Sequence, residues 1–169
     1  MNQYDFVQII NPFRDKLFRL AKRLLVSTEE AEDATQEVLV KLWNKNNSLN
    51  KYNSIEALAM KITKNYCLDQ LKSKRASNLP ITHNNYKDQQ STAEQKTEVN
   101  DCLQWVEKII NQLPEQQRIL IQLRDVEQYE YAEIAQIVKM TESAIRTTLS
   151  RTRKTIREKM QQKNNHGII

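Results

Sequence analysis

A chain of 169 residues is long enough for one ordinary domain or two small ones, and it contains a single glycine and only three prolines. Phosphate-cradling loops, dinucleotide fingerprints and nucleophile elbows depend on glycine, so nucleotide-cofactor enzymes of those types are nearly excluded; a β-sandwich or barrel also lacks its turn residues. The net charge of +5, with a pI near 9.2, suits a polyanionic partner without requiring one.

Ala, Leu, Ile, Lys, Glu, Gln and Arg dominate, which makes an all-α fold the natural expectation. No apolar run is long enough to span a bilayer, and the first five residues lack the basic start of a signal peptide. A cytoplasmic protein without membrane insertion is therefore expected. Cys67 and Cys102 lie in helical patterns and are expected as two buried, reduced thiols. His83 and His166 sit in polar stretches with no ligand cluster around them, so neither a metal nor a cofactor is expected.

In chain order, Phe6 to Val26 carries Phe13, Leu17, Leu20, Ala21, Leu24 and Leu25 at helical spacing. Ser27 followed by Glu30 reads as a capping box for a second helix, Thr28 to about Lys45. That helix is expected to bury Ala31, Ala34, Val38, Leu42 and Trp43. Its early turns hold Glu29, Glu30, Glu32, Asp33 and Glu37 with no base among them. The helix dipole explains part of this, and an acidic face open to a basic partner remains. After a polar turn, Asn46 to Asn53, Ser54 is placed to cap a third helix ending near Ala76. Its expected core contacts are Ile55, Leu58, Ile62, Leu68 and Leu71. Lys61, Lys64, Lys72, Lys74 and Arg75 stand on it against one acid, Asp69. Such a run is a solvated face or an anion-binding one, and composition alone leaves both open.

Residues 78–100 are polar and aperiodic, the composition of a flexible linker. Beyond it, Asp101 to Gln112 is amphipathic through Leu103, Val106, Ile109 and Ile110, and Pro114 suits the start of a helix from Glu115 to about Asp125. Two further helical patterns follow, Tyr131 to Val138 and one capped by Thr141, separated by three residues. In the second, Ala144, Ile145, Leu149, Thr152 and Ile156 form the expected inward stripe. Ser143, Arg146, Thr147, Ser150, Arg151, Arg153 and Lys154 fall outward. Hydroxyls and cations mixed on one face can dock in a major groove, with guanidiniums at base edges and further cations on phosphates. Tyr131 to Ile156 therefore reads as a helix-turn-helix; the bland alternative is an αα-hairpin with a cationic surface.

Two motifs resemble the bacterial RNA polymerase sigma factors of the extracytoplasmic-function (ECF) class, within the sigma-70 family. Glu30 to Trp43 (EAEDATQEVLVKLW), joined to Ile62 to Arg75 (ITKNYCLDQLKSKR), is similar to region 2. Leu113 to Arg118 (LPEQQR), Tyr131 to Ala135 (YAEIA) and Ser150 to Lys154 (SRTRK) are similar to region 4. The resemblance implies two small helical domains. Residues 1–77 would bind core polymerase and the −10 element, and 101–163, a helix-turn-helix of winged-helix-like kind, the −35 element; 164–169 would be a tail. It implies that Asp33, Gln36 and Glu37 dock on the β′ clamp helices. Asn65, Asp69, Lys72, Lys74 and Arg75 would meet the −10 element, with Lys61 and Lys64 on phosphates, and region 4 would also sit on the β flap. It implies no catalytic residue, and the linker leaves room for an anti-sigma factor between the lobes. Two departures stand out. Leu58 and Met60 occupy places where the family has aromatics, leaving Tyr52 and Asn53 as candidates for strand capture. Gln128 and Lys139 replace glycines, and each costs on the order of 1 kcal/mol if it adopts positive φ. The rival readings are a stand-alone helix-turn-helix regulator and an all-helical protein-interaction module.

Overall fold

The computed structural model describes residues 1–77 and 98–166; the expected linker up to residue 97, His83 and the last three residues of the tail lie outside them. The described residues form helices and turns only, in two lobes. The N-terminal lobe holds α1 (Gln3–Leu25), α2 (Thr28–Asn44), a 3-10 turn (Asn46–Lys51) and α3 (Ile55–Ala76). The C-terminal lobe holds α4 (Glu98–Asn111), α5 (Glu115–Ile121) with a single π-helical turn after it (Gln122–Val126), α6 (Tyr131–Val138) and α7 (Glu142–His166).

Local chemistry sets the boundaries. The Asn2 side chain accepts the Asp5 N–H at 2.9 Å to start α1. Ser27 Oγ accepts from Glu30 N at 3.3 Å, Ser54 Oγ from Ala57 N at 3.1 Å and Thr141 Oγ1 from Ala144 N at 3.1 Å. All three expected N-cap bonds are present, but the Glu30 carboxylate pairs with Lys74 of α3 and does not complete the expected capping box. Val26 ends α1 at φ 57, an unusual place for a β-branched residue, and its N–H donates to the Lys22 carbonyl. Gln128 and Lys139 do adopt positive φ, at 60 and 55.

Along α1, Phe6, Ile10, Phe13, Leu17, Leu20 and Leu24 recur every three or four residues and are buried. Each fully buried leucine contributes about 1.5–3 kcal/mol. Two expectations about α2 and α3 need correction. Trp43 is 37% exposed, its ring edge-on to Phe6 at 5.1 Å, so it borders the core without entering it. On α3 the fully buried face is Ala59, Met60, Thr63 and Cys67, with Leu71 beside it, whereas Ile55, Leu58, Ile62 and Leu68 are only partly buried. At 100° per residue Leu58 and Ile62 lie on the far side of the helix from Met60 and Cys67. The reason is that α3 is packed on by α1 and α2 and also by α6 of the other lobe, so it carries two apolar faces. Thr63 stays in the core because its hydroxyl donates to the Ala59 carbonyl at 2.8 Å. Burial pushes the Cys67 thiol up to about 12, aided by the Glu30 charge. Cys102, expected to be buried, is exposed.

The two lobes pack directly on each other. Arg19 makes a bidentate pair with Glu127 at 2.6 and 2.8 Å, and Arg23 reaches both Glu107, at 2.6 and 3.1 Å, and Gln122, at 2.9 Å. Arg118, almost wholly buried, donates from Nη1 to the Arg23 and Leu24 carbonyls at 3.1 and 3.2 Å. Tyr129 donates to Glu56 Oε1 at 2.5 Å, and Lys16 donates to the same oxygen at 2.8 Å.

That last cluster makes the closed arrangement sensitive to pH. Burial alone would raise the Glu56 pKa, but the hydrogen bonds from Lys16 and Tyr129 outweigh it and hold the carboxyl below its ordinary value. A depressed carboxyl stabilises the fold above the unfolded pKa, about 4.3, and that contribution is lost as pH falls through the folded pKa. Small-angle scattering should therefore show the radius growing below about pH 4. Glu56→Gln should remove part of that dependence; an identical radius and pH profile in the variant would show that Glu56 does not hold the lobes.

Candidate nucleic-acid and polymerase interfaces

Three surfaces follow from these elements. On α2 the buried residues Ala31, Ala34, Thr35 and Val38 turn Glu29, Glu32, Asp33, Gln36 and Glu37 outward, and all five are exposed. Asp33, Gln36 and Glu37 are three or four residues apart and share one face. Glu30 stands apart from this group, because it is ion-paired with Lys74 of α3. Lys41 sits over the Tyr66 ring at 4.7 Å. The Tyr66 hydroxyl is pushed up by burial first and then by the Glu37 charge, with a smaller effect of Asp33. This face thus carries a negative field that a basic partner would relieve.

The basic helix α3 is less open than its sequence suggests. Asn65, Asp69, Lys72 and Arg75 are exposed, whereas Lys61, Lys64 and Lys74 are half-buried. Lys64 has its pKa lowered by burial, then by the charges of Lys61 and of Lys139 in the helix-turn-helix turn. Lys74 is engaged by Glu30, and Arg75 is ion-paired with Glu115 of the other lobe. Met60 is fully buried and cannot touch a nucleic acid, whereas Tyr52, 42% exposed, and Asn53 are accessible.

On α7 the inward residues are Ile145, Leu149 and Thr152, with Ile156 half-buried; Ala144, expected inside, is exposed. Ser143, Arg146, Thr147, Ser150, Arg151 and Lys154 form the exposed face. Arg153 differs from them. Asp125 accepts from it at 2.5 and 3.1 Å, so it ties α7 to the π-helical turn. The Asp125 and Tyr131 partners hold its pKa high. Sequence reading missed two arrangements here: Asp125 with Arg153, and the Tyr131 ring carrying Arg124 and Arg146. The only available signal was an aromatic opening the first helix of the motif. Finally, α4 and α7 flank a groove of about 540 Å³ lined by Trp105, Ile109, Lys108, Lys159 and Lys163.

Comparison with known proteins converges on one family. The profile of Sigma-70 region 2 matches residues 9–77, and that of Sigma-70 region 4 matches residues 103–156. The ECF RNA polymerase sigma factor SigM of Mycobacterium tuberculosis is 24% identical over 152 residues, covering 90% of this chain and 75% of its own length. SigW of Bacillus subtilis is 21% identical over 169 residues, covering 94% and 90%. Among solved structures, the sigma factor RpoE from Bartonella quintana, crystallised with the anti-sigma factor NepR, matches with a TM-score of 0.73 at 24% identity, over 93% of this chain and 97% of that one. CnrH, solved with the cytosolic domain of CnrY, matches with a TM-score of 0.66 at 18% identity, over 93% and 88%. The stand-alone regulator reading finds no support in these matches. The chain belongs to the ECF class of the sigma-70 family and is a sigma factor that directs transcription initiation.

Proposed function

We propose that the acidic face of α2, through Asp33, Gln36 and Glu37, binds the β′ clamp helices of core RNA polymerase, that α3 meets the −10 element, and that α7 reads the −35 element. The observation that carries this reading is the division of charge on one chain: an exposed acidic face on α2, and an exposed face of hydroxyls and cations on α7. On α3, Asn65, Asp69, Lys72 and Arg75 are the accessible candidates, with Lys61 and Lys64 joining as phosphate contacts once the lobes separate and Lys74 once its pair with Glu30 within the same lobe opens. On α7, Ser143, Arg146, Thr147, Ser150, Arg151 and Lys154 would meet the major groove of the DNA, and Arg153 serves by fixing the helix. The groove between α4 and α7, apolar at Trp105 and Ile109, offers a seat for the β flap. The sigma subunit supplies no reaction of its own.

Run-off transcription with purified core polymerase, with and without this chain, over a genomic template library tests the reading. Promoter-specific initiation should appear only when the chain is present; none on any template would refute the proposal. Arg146→Ala should relax preference at one or two base pairs by about 1–3 kcal/mol. Equal weakening at every sequence would make Arg146 a phosphate contact instead.

The closed arrangement also supports restraint by an anti-sigma factor, since RpoE and CnrH match over both lobes in complexes with NepR and CnrY. A pull-down from the native host that returned core polymerase and no such partner would count against this.

A further inference from the structure

At the entrance to the helix-turn-helix, one aromatic ring carries two guanidiniums. The central carbons of Arg124 and Arg146 each lie 4.4 Å from the Tyr131 ring centroid. Arg124 is itself anchored, because its Nη1 donates to the Tyr129 carbonyl at 2.8 Å and Glu130 lies 3.8 Å away. The ring is therefore shared between one arginine with fixed partners, Arg124, and a second, Arg146, that is exposed.

A guanidinium stacks through its face and hydrogen-bonds through its edge, so the two uses do not compete. Arg146 can keep its place on Tyr131 while its edge meets a base. A free arginine on a helix surface samples many rotamers and loses that freedom on binding; one already stacked has less to lose. It is also less able to swing from a wrong base to a nearby phosphate.

We propose that Tyr131 is a positioning residue for base readout: the stack of Arg124, Tyr131 and Arg146 sets the direction of the Arg146 guanidinium before DNA arrives and so determines specificity at its base pair. The proposal rests on Arg146 being a base reader. The competing role for the ring is that of simple glue between α6 and α7.

Holoenzyme reconstituted from core polymerase and the full chain separates the two. Its affinity is measured on promoters carrying every single-base change in the −35 element. Arg146→Ala should flatten preference at one or two positions. Tyr131→Leu should flatten the same positions by about tenfold, with less than about threefold loss elsewhere. Tyr131→Phe, which keeps the ring, should restore the preference. The double variant should lose nothing further at those positions, since the two changes remove one interaction. If Arg146→Ala is position-specific but Tyr131→Leu is silent or weakens all sequences alike, the stack is glue and the proposal is overturned on its own. If Arg146→Ala itself weakens all sequences alike, the base-reading assignment fails and the proposal falls with it. Should Tyr131→Leu lose its helical circular dichroism, Arg124→Met carries the same test. It should flatten the same positions by a smaller factor, and unchanged preference overturns the proposal.

Discussion

Replacing Asp33 and Glu37 together by lysine is expected to abolish capture of core polymerase while leaving the helical fold in place. Both side chains are exposed on α2, and no cation among the described residues is ion-paired with either. Their charge is thus available to a partner and little used by the fold. Like-charge contacts at an interface cost several kcal/mol. Two reversals facing a basic surface should cost at least about 4 kcal/mol, roughly a thousandfold in affinity. The cost to α2 is small by comparison. Asp33 lies beyond the first turn, where the dipole no longer matters much. A lysine at position 37 would face Lys41 four residues on, a like-charge pair worth only about 0.2–0.5 kcal/mol. Co-purification with core and a thermal melt of the free chain read the two effects separately. Unchanged capture would refute the docking assignment, and a lost melt would show that the acids serve the fold.

How much of this was legible in the sequence depends on how local the physics is. Ser27, Ser54 and Thr141 announced their helix starts because a cap acts over three residues. Gln128 and Lys139 drew notice because the resembled family has glycine at those places, and both do adopt positive φ. The two faces of α3 were misread for a different reason. Ala59, Thr63 and Cys67 are small or weakly apolar, so Leu58 and Ile62 outweighed them in any reading by hydrophobicity, yet the small face is the fully buried one. A single helical period gives a stripe but does not say which neighbour covers it. At the candidate interfaces the exposed face of α7 could be drawn from periodicity alone. The partners of Arg153, 28 residues away in Asp125, and of Lys74, 44 residues away in Glu30, could not. Nor could the packing of one lobe on the other, which is assembled from side chains such as Arg23 and Glu107 that look solvent-facing in sequence.

That packing leads to the second large effect, since a chain closed in this way could not reach both promoter elements as proposed. Elements centred near −35 and −10 lie about 25 base pairs apart, roughly 85 Å at 3.4 Å per step. A compact chain of this length has a radius of gyration of only about 15–16 Å. With α6 packed on α3, and Lys64 desolvated near Lys139, the helix-turn-helix lies against α3. If α3 and α7 engage the two elements as proposed, the lobes must part first. Arg118 is the most exacting of the contacts that resist this. Burial, and then the charges of Arg23 and Arg75, lower its pKa, so it is a cation in unfavourable surroundings. Its compensation is the pair of carbonyls at the C-terminal end of α1, where a helix favours positive charge. Arg118→Met removes two hydrogen bonds from a charged donor and should weaken the closed state by about 2–4 kcal/mol, some 30- to 1,000-fold in the closed-to-open ratio. Small-angle scattering should then show an expanded chain at neutral pH, and stopped-flow mixing with core should show faster capture than for the native chain. A variant with the native radius and the native capture rate would mean that the Arg118 contacts do not restrain opening.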